Sequence, residues 1–232
     1  MKKNTLKTGI LIGILVIPVF FFLFLKIFGQ NYYKLPYLFP KIDETGQVIV
    51  KGETDTVFHQ VPNFVLTNQD GKAYSSDDLK DKIYVVDFFF TRCGTICPTM
   101  AVEMRRVQDV FAENETIKLV SISIDPKHDS SQVLKAYAKK NDSNPAKWNF
   151  LTGDKKTIYD LAIKGFKLPV SDAADYDKNI KSVDETFIHS EKLLLIDKQG
   201  YVRGMYDGTN PEDVDRLILE IKLLMDIYKK SK

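Results

Sequence analysis

Cysteine, histidine and tryptophan are scarce in this chain: its 232 residues include two cysteines, three histidines and one tryptophan. Two cysteines are too few for a scaffold held together by disulfides. The 12 glycines and nine prolines are too few for a collagen-like chain, and 44% hydrophobic residues argue against a disordered one. The composition is that of a folded protein with a core of its own.

A surplus of charge of one sign is also missing, since 33 Lys and Arg face 31 Asp and Glu. The first 28 residues hold four lysines and no acidic residue, so the rest of the chain has 29 basic and 31 acidic residues. Nucleic-acid binding requires a cationic face that this balance does not suggest. We therefore expect no nucleic-acid partner.

One long uncharged segment lies at the amino terminus. Residues 9–25 carry no charge, and a helix over residues 8–28 would be about 31 Å long, enough to span a bilayer. A cleaved secretory signal would end in small residues, whereas Lys26 and two apolar residues follow here. We expect a single-pass anchor in a bacterial cytoplasmic membrane, with the lysine-rich tail inside and the large domain on the extracytoplasmic or periplasmic side.

Three parts are expected along the chain: the anchor over residues 1–28, a linker over residues 29–56 and one domain over residues 57–232. The domain is large enough to bury a core unaided. Its sequence alternates apolar strands and amphipathic helices. The predicted strands cover residues 64–67, 83–90, 117–124, 148–151, 193–196 and 201–206, and the predicted helices cover residues 98–111, 131–140 and 155–164 and a last segment from Pro211.

Continuous apolar strands between helices indicate a sheet that is covered on both faces. Parallel strands come first, and a closing hairpin follows. The predicted fold class is α/β, with a central mixed sheet flanked by helices, and this order is compatible with a thioredoxin-like domain.

The two cysteines, Cys93 and Cys97, lie between a buried strand and a helix that is predicted to begin near Pro98. Free N–H groups at a helix N-terminus favour the thiolate, which is both the nucleophile and the soft metal ligand. Both sulfurs can converge in front of the helix, so the loop can form a disulfide or a two-sulfur metal clamp. The alternative is a pair of buried thiols that act as small hydrophobic side chains.

The CxxxC spacing is wider than the CxxC of thioredoxin-type oxidoreductases and leaves room for an ion. Two thiolates do not complete a tetrahedral zinc site, but they suit Cu(I). A third ligand is sought among His59, His128 and His189. By analogy with thioredoxin-like sheets, the loop that enters the strand after His189 packs against the cysteine loop, which favours His189.

Two aspartates also follow or lie within the buried strands. Asp87 precedes Cys93 by six residues, an offset at which thioredoxins have a buried aspartate that handles protons, so it is a candidate proton acceptor. A purely structural buried carboxyl is the alternative. Asp125, which precedes Pro126, is interpreted as a turn residue.

Several stretches resemble the SCO/SenC family of membrane-anchored copper proteins, which assemble the CuA centre of cytochrome c oxidase. They are LTNQDGK from residue 66, DFFFTRCGTICP from residue 87, SIDP from residue 123, WNFLTG from residue 148, and His189 before a leucine-rich strand. The resemblance implies a thioredoxin fold in which Cys93, Cys97 and His189 match the copper ligands. Many members have Pro-Asp where this chain has Gly94 and Thr95.

Two functions follow from these predictions. The leading one is a copper metallochaperone that receives copper from a donor protein and delivers it to the oxidase subunit that carries the CuA site. The alternative is a thiol-disulfide reductase that keeps the partner's copper-ligand cysteines reduced, with Cys93 and Cys97 as the redox pair. A peroxidase fits less well, because peroxiredoxins have Thr three residues before the attacking cysteine and this chain has Phe90.

Overall fold

The computed structural model describes residues 13–25, 35–52, 55–172, 187–188 and 190–230. The chain divides into two compact units, Met1–Lys34 and Leu35–Lys232. In the first unit, helix α1 covers residues 13–25, and its large apolar side chains are 46% to 69% exposed. Within the part of the chain that the structure describes, no helix combines the length and apolar character needed to cross a membrane.

The second unit begins with a small antiparallel arrangement of extended segments. Strands β1 (Val50–Lys51) and β2 (Asp55–Thr56) pair with each other, and Ile42 forms a bridge to Val48. Before them, the buried side chain of Leu35 joins the core of this unit. The segment that was predicted as a linker therefore contributes ordered structure from Leu35 onward.

A seven-stranded mixed sheet forms the centre of this unit. The remaining strands are β3 (Val65–Asn68), β4 (Ala73–Ser75), β5 (Ile83–Phe89), β6 (Ile117–Ser123), β7 (Trp148–Thr152), β8 (Ser171–Asp172), β9 (Phe187–Ile188), β10 (Lys192–Ile196) and β11 (Val202–Asp207). The order in the sheet is β11-β10-β5-β6-β7-β3-β4, while β8 and β9 pair separately. Strands β5, β6 and β7 are parallel, and the other neighbours in the sheet are antiparallel.

Helices cover the sheet. They are α2 (Ile96–Val110), α3 (Ser131–Lys140), α4 (Lys155–Asp160), which continues as a π-helical turn over Leu161–Gly165, and α5 (Pro211–Lys230). The side chains of Ser130 and Asp154 cap α3 and α4 by accepting backbone N–H groups of the first turn. All seven residues of β5 are buried, as a strand covered on both faces requires.

The mixed α/β architecture predicted from the sequence is confirmed, and the ends of each predicted strand agree to within one residue. Other details differ. The short strands β2, β4, β8 and β9 were not predicted, and α2 begins at Ile96 rather than near Pro98. Cys97 therefore lies inside the first turn of α2 rather than at its cap. Since β5 and β6 are parallel and adjacent, the loops that follow them meet at one edge of the sheet, and this edge carries the cysteines.

Candidate metal centre

Cys93 and Cys97 lie together at the start of α2. The backbone N–H of Cys97 donates to Cys93 Sγ at 3.4 Å, and the Cys97 thiol also donates to this sulfur. Thr95 is the N-cap residue, yet its side chain makes no capping hydrogen bond. Cys93 Sγ thus accepts an N–H group of the first turn that a serine or aspartate side chain ordinarily accepts. One N–H group of the first turn of α2 therefore has a partner two residues before the N-cap residue.

The two thiols differ in their electrostatic surroundings. Burial raises the pKa of Cys93, but hydrogen bonds from the backbone N–H groups of Cys97 and Thr95 outweigh it, so the net pKa lies below the ordinary value. At Cys97, burial is the largest effect and the neighbouring Cys93 sulfur adds to it, so the pKa of Cys97 is raised. Cys93 therefore loses its proton more readily than Cys97 and is the thiol of the pair that more easily forms a thiolate.

Asp87 lies on β5 and lines the same small cavity as Cys97. Its Oδ1 accepts a hydrogen bond from Ser121 Oγ at 2.5 Å, and Ser121 Oγ accepts one from Trp148 Nε1 at 2.8 Å. Because the indole can only donate, the single hydroxyl proton of Ser121 is directed to Asp87. Burial raises the pKa of Asp87 to about 7, although the bond from Ser121 favours the charged form.

Two carboxylates from the loop after β6 hold the segment that leads into Cys93. Asp125, which is buried, accepts hydrogen bonds from Arg92 Nε and Nη2 at 3.1 and 2.6 Å. Asp129 accepts hydrogen bonds from the backbone N–H and the hydroxyl of Thr91 at 3.0 and 2.5 Å. The turn predicted at Asp125 is present, since its carbonyl oxygen accepts two backbone N–H groups, but its ion pair with Arg92 was not predicted.

The three histidines occupy different places. His59 Nε2 is 2.8 Å from the carbonyl oxygen of Gly165, which ties the start of the domain to the end of the π-helical turn. His128 follows β6, and its Nδ1 is 3.4 Å from Thr91 Oγ1, two residues before Cys93. His189, the predicted third ligand, lies outside the described residues. The neighbouring Ile188 pairs with Ser171 across β8 and β9.

The donor set at the start of α2 is chemically soft. Cys93 and Cys97 are free thiols whose sulfurs contact each other, and both side chains are buried. Soft thiolate ligands select Cu(I) over the hard cations, which prefer oxygen. The residues present therefore fit a copper ion, and the same two sulfurs can also be oxidised to a disulfide.

Comparison with known proteins identifies the family. The sequence profile described as SCO1/SenC matches residues 52–226, which covers the whole sheet and both cysteines. The chain belongs to the SCO1/SenC family. Among curated SCO1/SenC relatives, the SCO1 protein homolog of Bacillus subtilis (strain 168) is 33% identical over 170 residues, which are 72% of this chain and 84% of the relative.

Two solved SCO1/SenC structures are similar to this fold. BsSco, described as a member of the Sco family of cytochrome c oxidase assembly proteins with a disulfide switch, has a TM-score of 0.60 at 32% identity. The match covers 72% of this chain and 93% of BsSco. Copper-bound ScoI of Bradyrhizobium japonicum has a TM-score of 0.57 at 24% identity, over 69% of this chain and 98% of ScoI, and at that identity the likeness is one of fold.

Proposed function

We propose that this protein is a membrane-anchored copper chaperone. It binds copper through Cys93, Cys97 and His189 and delivers the ion to the CuA site of cytochrome c oxidase. The observation that carries the proposal is the contact between two free thiols at the start of α2, with Cys93 made acidic by backbone N–H groups. The soft donor set supports copper as the cargo, and the description of BsSco as a member of a family of cytochrome c oxidase assembly proteins supports the client.

Copper is the cargo of this site, and its transfer is a ligand exchange without net redox change. A thiolate of the client displaces one protein sulfur from the ion, and the released sulfur takes up a proton from solvent. Because Cys93 is the more acidic thiol, it is suited both to bind the incoming ion as a thiolate and to leave the ion when a client thiolate displaces it. His189 supplies a nitrogen ligand that the client's ligands displace in turn.

The anchor belongs to the proposal as well. The apolar side chains of α1 are exposed within their own unit, and lysines flank the uncharged run in the sequence. We expect the full chain to resist extraction from membranes by alkaline carbonate. We also expect protease added outside the cytoplasmic membrane to degrade the domain. Full release by carbonate would contradict the anchor without affecting the copper site.

Copper binding is tested with the full-length chain in detergent, fully reduced and titrated with Cu(I) against a chromogenic chelator. One tight equivalent is expected for the parent protein. Cys93→Ser and Cys97→Ser should each lose tight binding, and His189→Ala should weaken it by roughly tenfold or more. Thr99→Ser, an exposed change on α2, is the matched control. Unchanged affinity in either cysteine variant would overturn the site.

A second function, thiol-disulfide reduction, is favoured by the position of Asp87. In this reaction the Cys93 thiolate attacks a client disulfide and forms a mixed disulfide, and one client sulfur leaves as a thiolate. Asp87 takes the proton of Cys97, whose thiolate then attacks the Cys93 sulfur of the mixed disulfide, and the second client sulfur leaves as a thiolate that takes up a proton from solvent. Two electrons pass to the client, and Cys93 and Cys97 become a disulfide.

The two functions differ in what they require. Reduction of a client disulfide should proceed without copper and should slow in Asp87→Asn at the second step. Copper affinity should change little in that variant. Rescue of oxidase assembly in a deletion strain by reductant alone would favour the reductase, whereas rescue by copper alone would favour the chaperone.

A further inference from the structure

His128 is an exposed histidine whose ring is fixed by a buried carboxylate. Its side chain is 42% exposed, and Nδ1 lies 2.9 Å from Oδ1 of the fully buried Asp129. No polar partner of His128 Nε2 occurs among residues 13–25, 35–52, 55–172, 187–188 and 190–230. The imidazole is thus held on one side and open on the other.

Asp129 itself cannot serve as a metal ligand in this arrangement. Its two oxygens accept the N–H and hydroxyl of Thr91, the hydroxyl of Ser123 at 2.6 Å and Nδ1 of His128. A carboxylate has about four lone-pair positions, and these four contacts use them. Asp129 is therefore an orienting group. Because it accepts the Nδ1 proton, the lone pair of neutral His128 is on Nε2.

A histidine oriented by a carboxylate through one nitrogen is the usual arrangement of metal-binding histidines. Imidazole nitrogen is also a good ligand for copper. His128 lies close to the cysteine loop, since its ring is 3.4 Å from Thr91 Oγ1 and Cys93 is two residues further along, at most about 7 Å of backbone. The contacts of Arg92 with Asp125 and of Cys93 with Cys97 do not use the imidazole.

We propose that His128 Nε2 is a second, weaker copper-binding point beside the Cys93–Cys97 pair, at which the ion rests during entry to or exit from the thiolates. The inference rests on the proposed copper function and extends it. In the exchange the Cu(I)–Nε2 bond breaks and a Cu(I)–Sγ bond forms, while a thiol proton passes to solvent. The oxidation state of the ion does not change.

The first experiment removes the tight site and examines His128 alone. In the full-length Cys93→Ser/Cys97→Ser/His189→Ala variant in detergent, substoichiometric Cu(II) sulfate is added and the imidazole carbon–proton NMR signals are followed. We expect selective broadening of the His128 ring signals. His59 is an internal control, because its Nε2 is already engaged by Gly165. Equal broadening of His59 and His128, or none at His128, would overturn the proposal.

The second experiment measures kinetics in the protein with both cysteines. Cu(I) transfer from the loaded chain to a chelator is followed by stopped flow for the parent, His128→Gln and the neighbouring control Lys127→Gln. We expect His128→Gln to slow transfer several-fold with unchanged equilibrium affinity, and Lys127→Gln to match the parent. Unchanged rates, or a large loss of equilibrium affinity in His128→Gln, would overturn the proposal. If the parent binds no tight copper while the first experiment succeeds, the proposed function fails and His128 binding stands.

Discussion

The sulfur of Cys93 accepts the backbone N–H of Cys97 at 3.4 Å, so one cysteine of the pair completes the first turn of the helix that carries the other. The bond gives the two thiols different roles. Cys93 becomes the acidic member, and Cys97 remains the buried, less acidic one. Reactivity and helix geometry are therefore linked through the same contact.

We predict that Cys93 is alkylated before Cys97 in the reduced protein. Its pKa is lowered and its residue is 7% exposed against 2% for Cys97, so it offers more thiolate and better access. Iodoacetamide labelling at pH 7.5 (about one unit below the pKa of a free thiol), followed by peptide mass spectrometry, measures the order. Cys97→Ser should label at the parent's fast rate. Faster labelling of Cys97 than of Cys93 would contradict the assignment.

Asp87 should make the fold less stable as pH rises. Its folded pKa of about 7 lies above the ordinary value of 3.8, so the folded state binds the proton more tightly and loses stability as pH rises between those values. The loss is at most about 4 kcal/mol, from roughly 1.36 kcal/mol per pKa unit. Asp87→Asn should therefore be more stable than the parent at pH 8. The difference in the free energy of unfolding should be smaller at pH 5, which lies about one unit above the pKa of a free carboxyl.

Urea unfolding of the reduced protein at the two pH values measures this difference. The matched control is Asp160→Asn, because hydrogen bonds from Lys156 and Lys164 lower the pKa of Asp160 to about 2. Its contribution is lost only as pH falls below the ordinary carboxyl range, so its effect should be the same at both pH values. An Asp87→Asn effect that did not change with pH would show that the carboxyl stays ionised.

Sequence patterns predicted six of the seven strands of the central sheet and the cysteine turn, because both depend on local signals. The run from Ile83 to Phe89 is apolar except for Asp87, and Pro98 marks the first turn of a helix. The ion pair of Arg92 with Asp125 joins residues 33 apart, and no local pattern specifies it. The one signal that could have indicated this ion pair was the order of the parallel strands. Adjacent parallel strands β5 and β6 bring their carboxyl ends, and the loops that carry Arg92 and Asp125, to one edge of the sheet.

Asp129 is a second residue whose interactions no local sequence pattern specifies. Sequence analysis did not single out Asp129, yet it is fully buried and accepts four hydrogen bonds. A carboxylate is buried only where enough donors surround it, and here Thr91 after β5 joins Ser123 and His128 from the end of β6 and the loop that follows. These donors come together only in the tertiary structure. The orientation of His128 by Asp129 could therefore not be predicted from the sequence.

Ser121 should set the ionisation of Asp87. Ser121→Ala removes the hydrogen bond that favours the carboxylate, so the pKa of Asp87 should rise further. Carbon-13 NMR of the Asp87 carboxyl measures the titration. Ser143→Ala is the control, because Ser143 bonds the carbonyl oxygen of Trp148 but not Asp87. A midpoint that is unchanged in Ser121→Ala would mean that the carboxyl takes another donor.

Arg203 should be critical for the attachment of the segment that begins at Leu35. Its guanidinium is 6% exposed, pairs with the buried Asp197 at 2.8 Å, and donates to the carbonyl oxygens of Leu35 and Pro36. The Tyr37 ring stacks over it at 4.0 Å. Removing one partner of a buried ion pair leaves an uncompensated charge, so Arg203→Ala should cost about 3 to 5 kcal/mol of the free energy of unfolding.

The matched control is Arg105→Ala, since Arg105 pairs with Asp142 at the surface, where both side chains are largely exposed. A pair of that kind contributes about 1 kcal/mol or less. Urea unfolding measures both effects, and limited proteolysis should cut Arg203→Ala near Leu35 at enzyme levels that leave the control intact. A double change, Arg203→Met with Asp197→Asn, removes both charges, and the asparagine side-chain oxygen can still accept the backbone N–H groups of Gln199 and Tyr201. This variant should recover much of the lost stability while the segment stays sensitive to protease. Recovered protease resistance in the double variant would mean that apolar packing of Leu35, rather than the hydrogen bonds of Arg203, fixes the segment.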